Sequence, residues 1–266
     1  DDNPKSFFPT VGSTEKPDKL AGKLLDGRVG ILVDGSPFAL TVPYLFIEAF
    51  QNTEDYSVRP FFVSIIRILR LMGFYFTTML PAFYVALQGY HQEMLPTTLL
   101  VNMSSGREGT PFPVIIEVFI MGVIFEILRE AGIRMPRTVG QAVSIVGALV
   151  LGESAVQAGI VGPNIVIVVA LTAISGFLTP SLNATISILR TYFLISTAFL
   201  GMFGWILSLM AVLIHLNSLR SFGIPYLSPI IPFNEGDMKD GFLRFPLLGI
   251  AEPPSFYNAW CHGLSK

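Results

Sequence analysis

The sequence predicts a mainly α, polytopic membrane protein with about 4–5 transmembrane helices, preceded by the α/β remnant of a soluble domain. Three observations predict it. Between Arg137 and Arg220 the only formally charged side chains are Glu153 and Arg190. A bilayer span needs about 20 predominantly apolar residues, so this stretch alone holds enough for about three. Hydrophobic residues make up 52% of the chain and charged residues 14%, with a mean hydropathy of +0.61, the profile of a multi-span protein. Residues 1–59, by contrast, alternate turn residues with short periodic segments, as a soluble fold does.

The amino-terminal segment opens on an irregular lead marked by Pro4, Pro9, Gly12 and Pro17. A short helix is expected over residues 16–25. Residues 28–33 and 36–42 flank Asp34-Gly35, a hairpin signal, because a type I′ turn needs positive φ at both central residues. A lone hairpin is marginally stable, so its partner strands are expected upstream of Asp1. Pro43 ends the second strand, and residues 44–51 form a short amphipathic helix leading to the membrane.

Arg59, Arg67 and Arg70 precede a charge-free run over residues 71–90 with Pro81 inside it, the first expected span. Basic residues at its entrance place the amino-terminal side in the cytoplasm. Residues 91–111 are a polar connection. Residues 113–129 are apolar but carry Glu117 and Glu126 on roughly opposite faces of a helix, so that helix either packs among others or lies at the interface. Arg129, Arg134 and Arg137 form a second basic cluster, again cytoplasmic. Two apolar helices follow, over residues 138–157 and 159–177, divided at Ala158-Gly159 and loosened at Gly162-Pro163. Residues 179–183 break the chain, 192–216 form a last long span containing Trp205, and 222–233 are too Pro-rich for helix. The expected organisation is thus a soluble cytoplasmic part over 1–59, a transmembrane helical domain over 60–220, and a Pro-rich segment with a polar tail over 221–266. Five spans place the two ends on opposite faces and four on the same face.

A net charge of −2 offers no large basic surface, which disfavours nucleic-acid binding. The single cysteine, Cys261, cannot form an intrachain disulfide, and no Cys and His set has zinc-site spacing, so no metal or other cofactor is expected. No catalytic residue is expected either. His91-Gln-Glu93 lacks the second His of a zincin helix, His215 stands alone near a span end, and Ser104-Ser105-Gly106 has no His partner in view. The start at Asp1 has neither a basic n-region nor an apolar h-region, so no signal peptide is expected, and the chain reads as part of a longer protein.

The helix over 138–157 carries a small-residue stripe, Gly140, Ser144, Ala148, Gly152 and Ala155. Such a stripe serves close helix packing. It also suits a pore-lining face, with Gln141 and Ser144 as polar contacts and an apolar constriction near Ala148 to Leu151 that closes by dewetting. Glu153 is either a repeated carboxylate that concentrates cations in an oligomer or an interfacial acid in water. Glu117 and Glu126 are the intramembrane charge candidates, with Arg129, Arg67 or Arg70 as expected partners. Arg190 is expected to snorkel to the headgroups.

Several motifs in one order carry a resemblance: Leu24-Leu-Asp-Gly-Arg-Val-Gly-Ile-Leu-Val-Asp-Gly-Ser-Pro-Phe-Ala-Leu-Thr-Val-Pro-Tyr44, Tyr84-Val-Ala-Leu87, His91-Gln-Glu-Met-Leu-Pro96, Ser105-Gly-Arg-Glu-Gly-Thr-Pro-Phe-Pro113, Leu128-Arg-Glu-Ala-Gly-Ile-Arg134 and Gly159-Ile-Val161. Over residues 1–246 the chain resembles the GerA-family spore germination receptor A subunit. The resemblance implies a membrane subunit in the spore inner membrane, working with a transporter-like B subunit and a lipoprotein C subunit. It also implies a homo-oligomer that forms or gates a channel for monovalent cations. Two departures stand out: most of the soluble domain of such subunits is missing, and residues 247–266 do not match the usual basic, Pro-rich ending. Two other classes fit the residues: a secondary transporter, from the Pro- and Gly-broken helices, and a non-conducting membrane scaffold.

Overall fold

The structure, a computed structural model, describes residues 2–135, 147, 152–233, 237–241 and 244. The described residues are mainly helical with small sheets. The chain divides into two compact units. One comprises Asp1–Met72, Thr179–Thr185 and Ala211–Lys266, the other Gly73–Leu178 and Ile186–Met210.

In the first unit, strands β1 (Gly12–Thr14), β2 (Val29–Leu32) and β3 (Ala39–Val42) form an antiparallel sheet in the order β1-β3-β2. Helix α1 (Pro17–Leu25) has Pro at its first position, Asp18 in the first turn and Lys23 in the last, each favoured there by the helix dipole. Gly30 lies under this helix, where a Cβ would come within 2.9 Å of Leu20 Cδ1. Two expectations change here. The lead segment, expected to be irregular, supplies a third strand, β1, paired with β3. The hairpin pairs Leu32 with Ala39, leaving a six-residue loop in which Gly35 (φ 80) has positive φ and Asp34 does not, so the turn is not type I′. The two successive positive φ values of a I′-like turn occur instead at Phe222 (φ 48) and Gly223 (φ 90), between β4 (Arg220–Ser221) and β5 (Ile224–Pro225).

The expected amphipathic helix over 44–51 is a 3₁₀ helix, Phe46–Phe50, buried on every side. It packs against Phe8 and Tyr226, and its Phe46 N–H donates to Tyr226 O at 3.0 Å. Glu48 inside it is 5% exposed and pairs with Lys23 at 2.8 Å and with Arg28. Burial pushes the Glu48 carboxyl up, but the charges of Arg28 and Lys23 outweigh it and hold the group below its ordinary value of 4.5. Asp55 behaves alike: burial raises it, while hydrogen bonds from Arg70 and the Asn52 backbone, together with the charges of Arg70 and Arg67, hold it below 3.8. A depressed folded-state value stabilises the fold fully above the ordinary value, and the contribution disappears as pH falls through the folded value. Unfolding of this unit in detergent is therefore expected to shift to lower temperature below about pH 4, and Glu48→Gln is expected to flatten that dependence. A melting temperature that is level from pH 6 to pH 3 contradicts it.

Arg67 and Arg70 do not pair with Glu117 or Glu126. Arg70 grips both oxygens of Asp55, at 2.7 and 2.9 Å. Arg67 is fully buried and reaches Asp55 at 3.3 Å, Asp240 Oδ1 at 3.0 Å and Gly241 O at 2.7 Å. Arg244 completes this clasp, donating to Asp55 O and to Val58 O, the latter at 2.8 Å, with its guanidinium 5.1 Å from the Tyr56 ring centroid. His215 is satisfied too, with Nε2 3.2 Å from Ser6 Oγ and its ring against Phe7.

The second unit is built from α2 (Pro60–Gly89), which enters it at Gly73, α3 (Thr97–Ser105), α4 (Val114–Arg134), α5 (Gly152–Gln157), α6 (Pro163–Gly176) and the middle of α7 (Asn183–Ser218). Helix α3 falls in the stretch expected to be a plain polar connection. Helix α5 closes with a Schellman motif, Ile160 N–H to Ala155 O and Gly159 N–H to Val156 O, both at 3.0 Å, with Gly159 at φ 66. Helix α6 then starts at Pro163 rather than at Gly159, because Gly162 is extended (φ −73, ψ 148).

Helix α7 is not one rod. Gly201 has φ 60 and ψ −139, and the chain folds back there. The rings of Phe193 and Trp205 lie 6.4 Å apart, whereas a straight helix would separate these residues by about 18 Å. At the base, Thr185 Oγ1 donates to Phe7 O at 2.6 Å while His215 reaches the adjacent Ser6. The expected single span over 192–216 is therefore a helical hairpin with arms of about 27 and 25 Å. Tie points fix the directions of the others. Thr77 of α2 meets Thr172 of α6, and Tyr84 and Val85 share a core with Ile165 and Val118, so α2 runs antiparallel to α6. Glu117 meets Gly162, and further along Val123 and Glu126 share a cleft with Val169 and Thr172, so α4 and α6 run parallel.

Polarity is inverted in this unit. Ile167 is 67% exposed and Phe199 80%, while Glu117 is fully buried. Two helices, α2 and that over Pro180–Ser218, are long and apolar enough to cross a membrane by length and composition.

Candidate functional site

Two ion-paired clusters with buried or part-buried members stand out in the second unit. The first is Glu117, in the opening turn of α4, where the helix dipole favours an acid. Its Oε1 accepts from Arg107 Nη2 at 2.8 Å and its Oε2 from the Gly162 N–H at 3.0 Å. The partner is thus Arg107, not Arg129, Arg67 or Arg70. Arg107 lies in the turn after α3, and its Nη2 also approaches Phe112 O at 3.3 Å. Its stem covers Gly162, where a Cβ would stand 2.9 Å from Arg107 Cγ, and Gly106 faces Pro163 in the same way at 3.3 Å. Only residues without a side chain allow the α3 turn and the start of α6 to interlock this closely. Tyr84 Oη, Arg107 Nε and Asn164 Nδ2 are buried without a hydrogen-bond partner among the described residues. Tyr84, Arg107 and Gly162 stand within or beside three of the sequence motifs, so segments far apart in the chain converge on one carboxylate.

The second place is Glu126, nine residues on and on the other face of α4. Arg129 and Ser187 reach its Oε1, Ser187 at 2.8 Å, and Arg190 reaches its Oε2 at 2.7 Å. Arg129 is an expected partner. Arg190 is a correction: its side chain is 12% exposed and turned to Glu126, because a carboxylate within reach is a better partner than distant headgroups. This cluster borders a cleft of about 120 Å³ whose walls are mostly apolar, formed by Val118, Phe119, Val123, Val169 and Leu194.

Of the pore and gate candidates, Gln141, Ser144, Ala148 and Leu151 lie outside the described residues, as does most of the stripe. Glu153 is exposed on α5 and accepts from Gln157 Nε2 at 3.1 Å. Arg107 and Ser187 escaped the sequence reading. The signal for Arg107 was present: Glu117 needed a cation, and the loop ten residues earlier held one.

The family model for the Bacillus/Clostridium GerA spore germination protein matches residues 1–256. The chain belongs to the GerA family. It is 52% identical over 248 residues to spore germination protein KA of Bacillus subtilis, covering 92% of this chain and 46% of that protein. Identity is 46% over 260 residues to the B. subtilis membrane protein YfkQ, covering 97% and 51%, and 44% over 257 residues to spore germination protein GerLA of Bacillus cereus, covering 96% and 52%. This GerA-family chain spans about half the length of these relatives. No solved structure matches it.

Proposed function

We propose that this chain is the membrane portion of an A-type germinant-receptor subunit in the inner membrane of bacterial spores. In this reading copies of it oligomerise to form or gate a cation channel that triggers germination, together with a transporter-like B subunit and a lipoprotein C subunit. The observation that carries the membrane part is the inverted polarity: Ile167 and Phe199 face outward while Glu117 and Arg107 are paired inside. Two relatives named spore germination proteins support the role.

The helical hairpin also suggests a span count. Helices α2 and α4, the run over 138–157, α6 and the two arms of α7 make six crossings, which returns both ends to the cytoplasm and leaves both basic clusters there, as the positive-inside bias asks. The 14 residues of α6 reach only about 21 Å, and the irregular turn before it is tolerated because Glu117 satisfies the Gly162 N–H. Labelling with an impermeant thiol reagent tests this in a Cys261→Ser background. Cysteines at Ser57 and Arg220 are expected to stay protected from outside intact membranes, and one at Gly109 to react. Labelling of either of the first two overturns the orientation or the count.

For the channel, Ala148→Ser and Leu151→Ser are expected to raise nutrient-independent potassium release severalfold from spores or liposomes, by wetting an apolar constriction. Val150→Ser is expected mainly to affect stability. Equal, unchanged leakage in all three removes the run 138–157 from any pore. Saturable solute uptake would instead favour a transporter, and no flux at all a scaffold.

A further inference from the structure

The cleft beside Glu126 has a charge its walls do not explain. Both oxygens of that carboxylate are taken, by Arg129 and Ser187 on one side and Arg190 on the other. A saturated carboxylate has little to offer a cation. Two guanidinium groups against one carboxylate leave a net charge of about +1 at the mouth of an apolar cleft. Arg190 bonds through Nη2 alone among the described residues, which leaves donors at Nε and Nη1. From Glu126 to Val118 the apolar wall on α4 extends about 12 Å. Phe119 and Val123 on that wall are 50% and 42% exposed.

We propose that this cleft binds an anionic phospholipid, its phosphate at Arg129 and Arg190 and one acyl chain along Phe119, Val123, Val169 and Leu194. The inference rests on the membrane reading above. In that reading Arg129 belongs to a cytoplasmic basic cluster, so the guanidinium groups stand at headgroup depth and the apolar wall runs toward the bilayer centre. Basic pockets between helices on the cytoplasmic side are suited to such headgroups. The occupant's two properties, negative head and alkyl tail, match the two ends of the cleft.

Gly122 supplies the decisive variant. It lines the cleft, and a Cβ built there meets nothing within 4 Å. Gly122→Leu projects an isobutyl group into this space from an unobstructed Cβ, keeps every arginine, and favours the helix. The full chain in detergent is titrated with phosphatidylglycerol, phosphatidylcholine or inorganic phosphate while its melting temperature is followed. Phosphatidylglycerol is expected to raise it by about 3–5 °C, with no comparable effect of the other two. In Gly122→Leu and in Arg190→Gln that rise is expected to vanish. Equal shifts with both lipids, a phosphate effect of the same size, or a full response in Gly122→Leu overturns the site. A chain that stays folded and soluble with no detergent overturns the membrane reading itself, a separate outcome.

Discussion

Arg107→Ala is expected to destabilise the second unit by about 3–5 kcal/mol, the cost of leaving a buried carboxylate without its cation. Glu117 is fully buried, and its remaining partner, the Gly162 N–H, cannot neutralise a charge. Glu117→Ala is expected to cost a similar amount, since it strands Arg107, whose side chain is 19% exposed. The double variant Arg107→Gln, Glu117→Gln is expected to lose less than the two single Gln changes added, because neutral side chains of similar shape leave no uncompensated charge. Abundance in membranes and melting in detergent measure this. Strict additivity, or normal abundance and germination in Glu117→Ala, would mean that the pair holds nothing together.

Gly201→Val is the second large effect. The backbone there (φ 60, ψ −139) is in a region nearly confined to glycine, which costs any other residue about 1–3 kcal/mol. A Cβ would also stand 2.9 Å from Tyr90 Cγ and 3.0 Å from Tyr90 Cβ, adding overpacking of about 1–3 kcal/mol. The hairpin is expected to open or fail to form. Cysteines at Phe193 and Trp205 read this directly: they should cross-link with a short reagent in the otherwise unaltered chain and not in Gly201→Val. Absence of cross-linking in both would indicate a straight helix. Gly204→Leu should act likewise, since its side chain would run into the Ser196 carbonyl.

Local chemistry made α1, the β2 and β3 strands and the run through Pro81 legible, because each is written in residues close in sequence. The fold-back at Gly201 was not: residues 192–214 are mostly apolar and free of formal charge, and a glycine among Phe, Leu and Met carries no sign of its φ. The bend packs against Tyr90, over a hundred residues away, whose hydroxyl donates to Ala198 O, a contact that sequence neighbours do not announce. The site was half legible for a related reason. That Glu117 and Glu126 require cations follows from their apolar surroundings. Which cations does not, since Arg107 reaches Glu117 through a turn and Arg190 reaches Glu126 across from another helix. Sequence proximity favoured Arg129, correct for Glu126 alone. The I′-like turn was missed at Phe222-Gly223 because an aromatic residue is an unusual occupant of positive φ.

The clasp around Arg67 has an order in time. Asp55 stands 12 residues before Arg67 and Asp240 stands 173 after it. A chain made from its amino terminus offers Arg67 the first carboxylate as soon as α2 emerges, and the second only after every helix between has been synthesised. Until then Asp55, which Arg70 also claims, is the sole anion of the clasp present. Closure of the clasp is therefore among the last events of assembly, and a ribosome stalled before Asp240 leaves Arg67, fully buried only in the finished fold, without its second carboxylate.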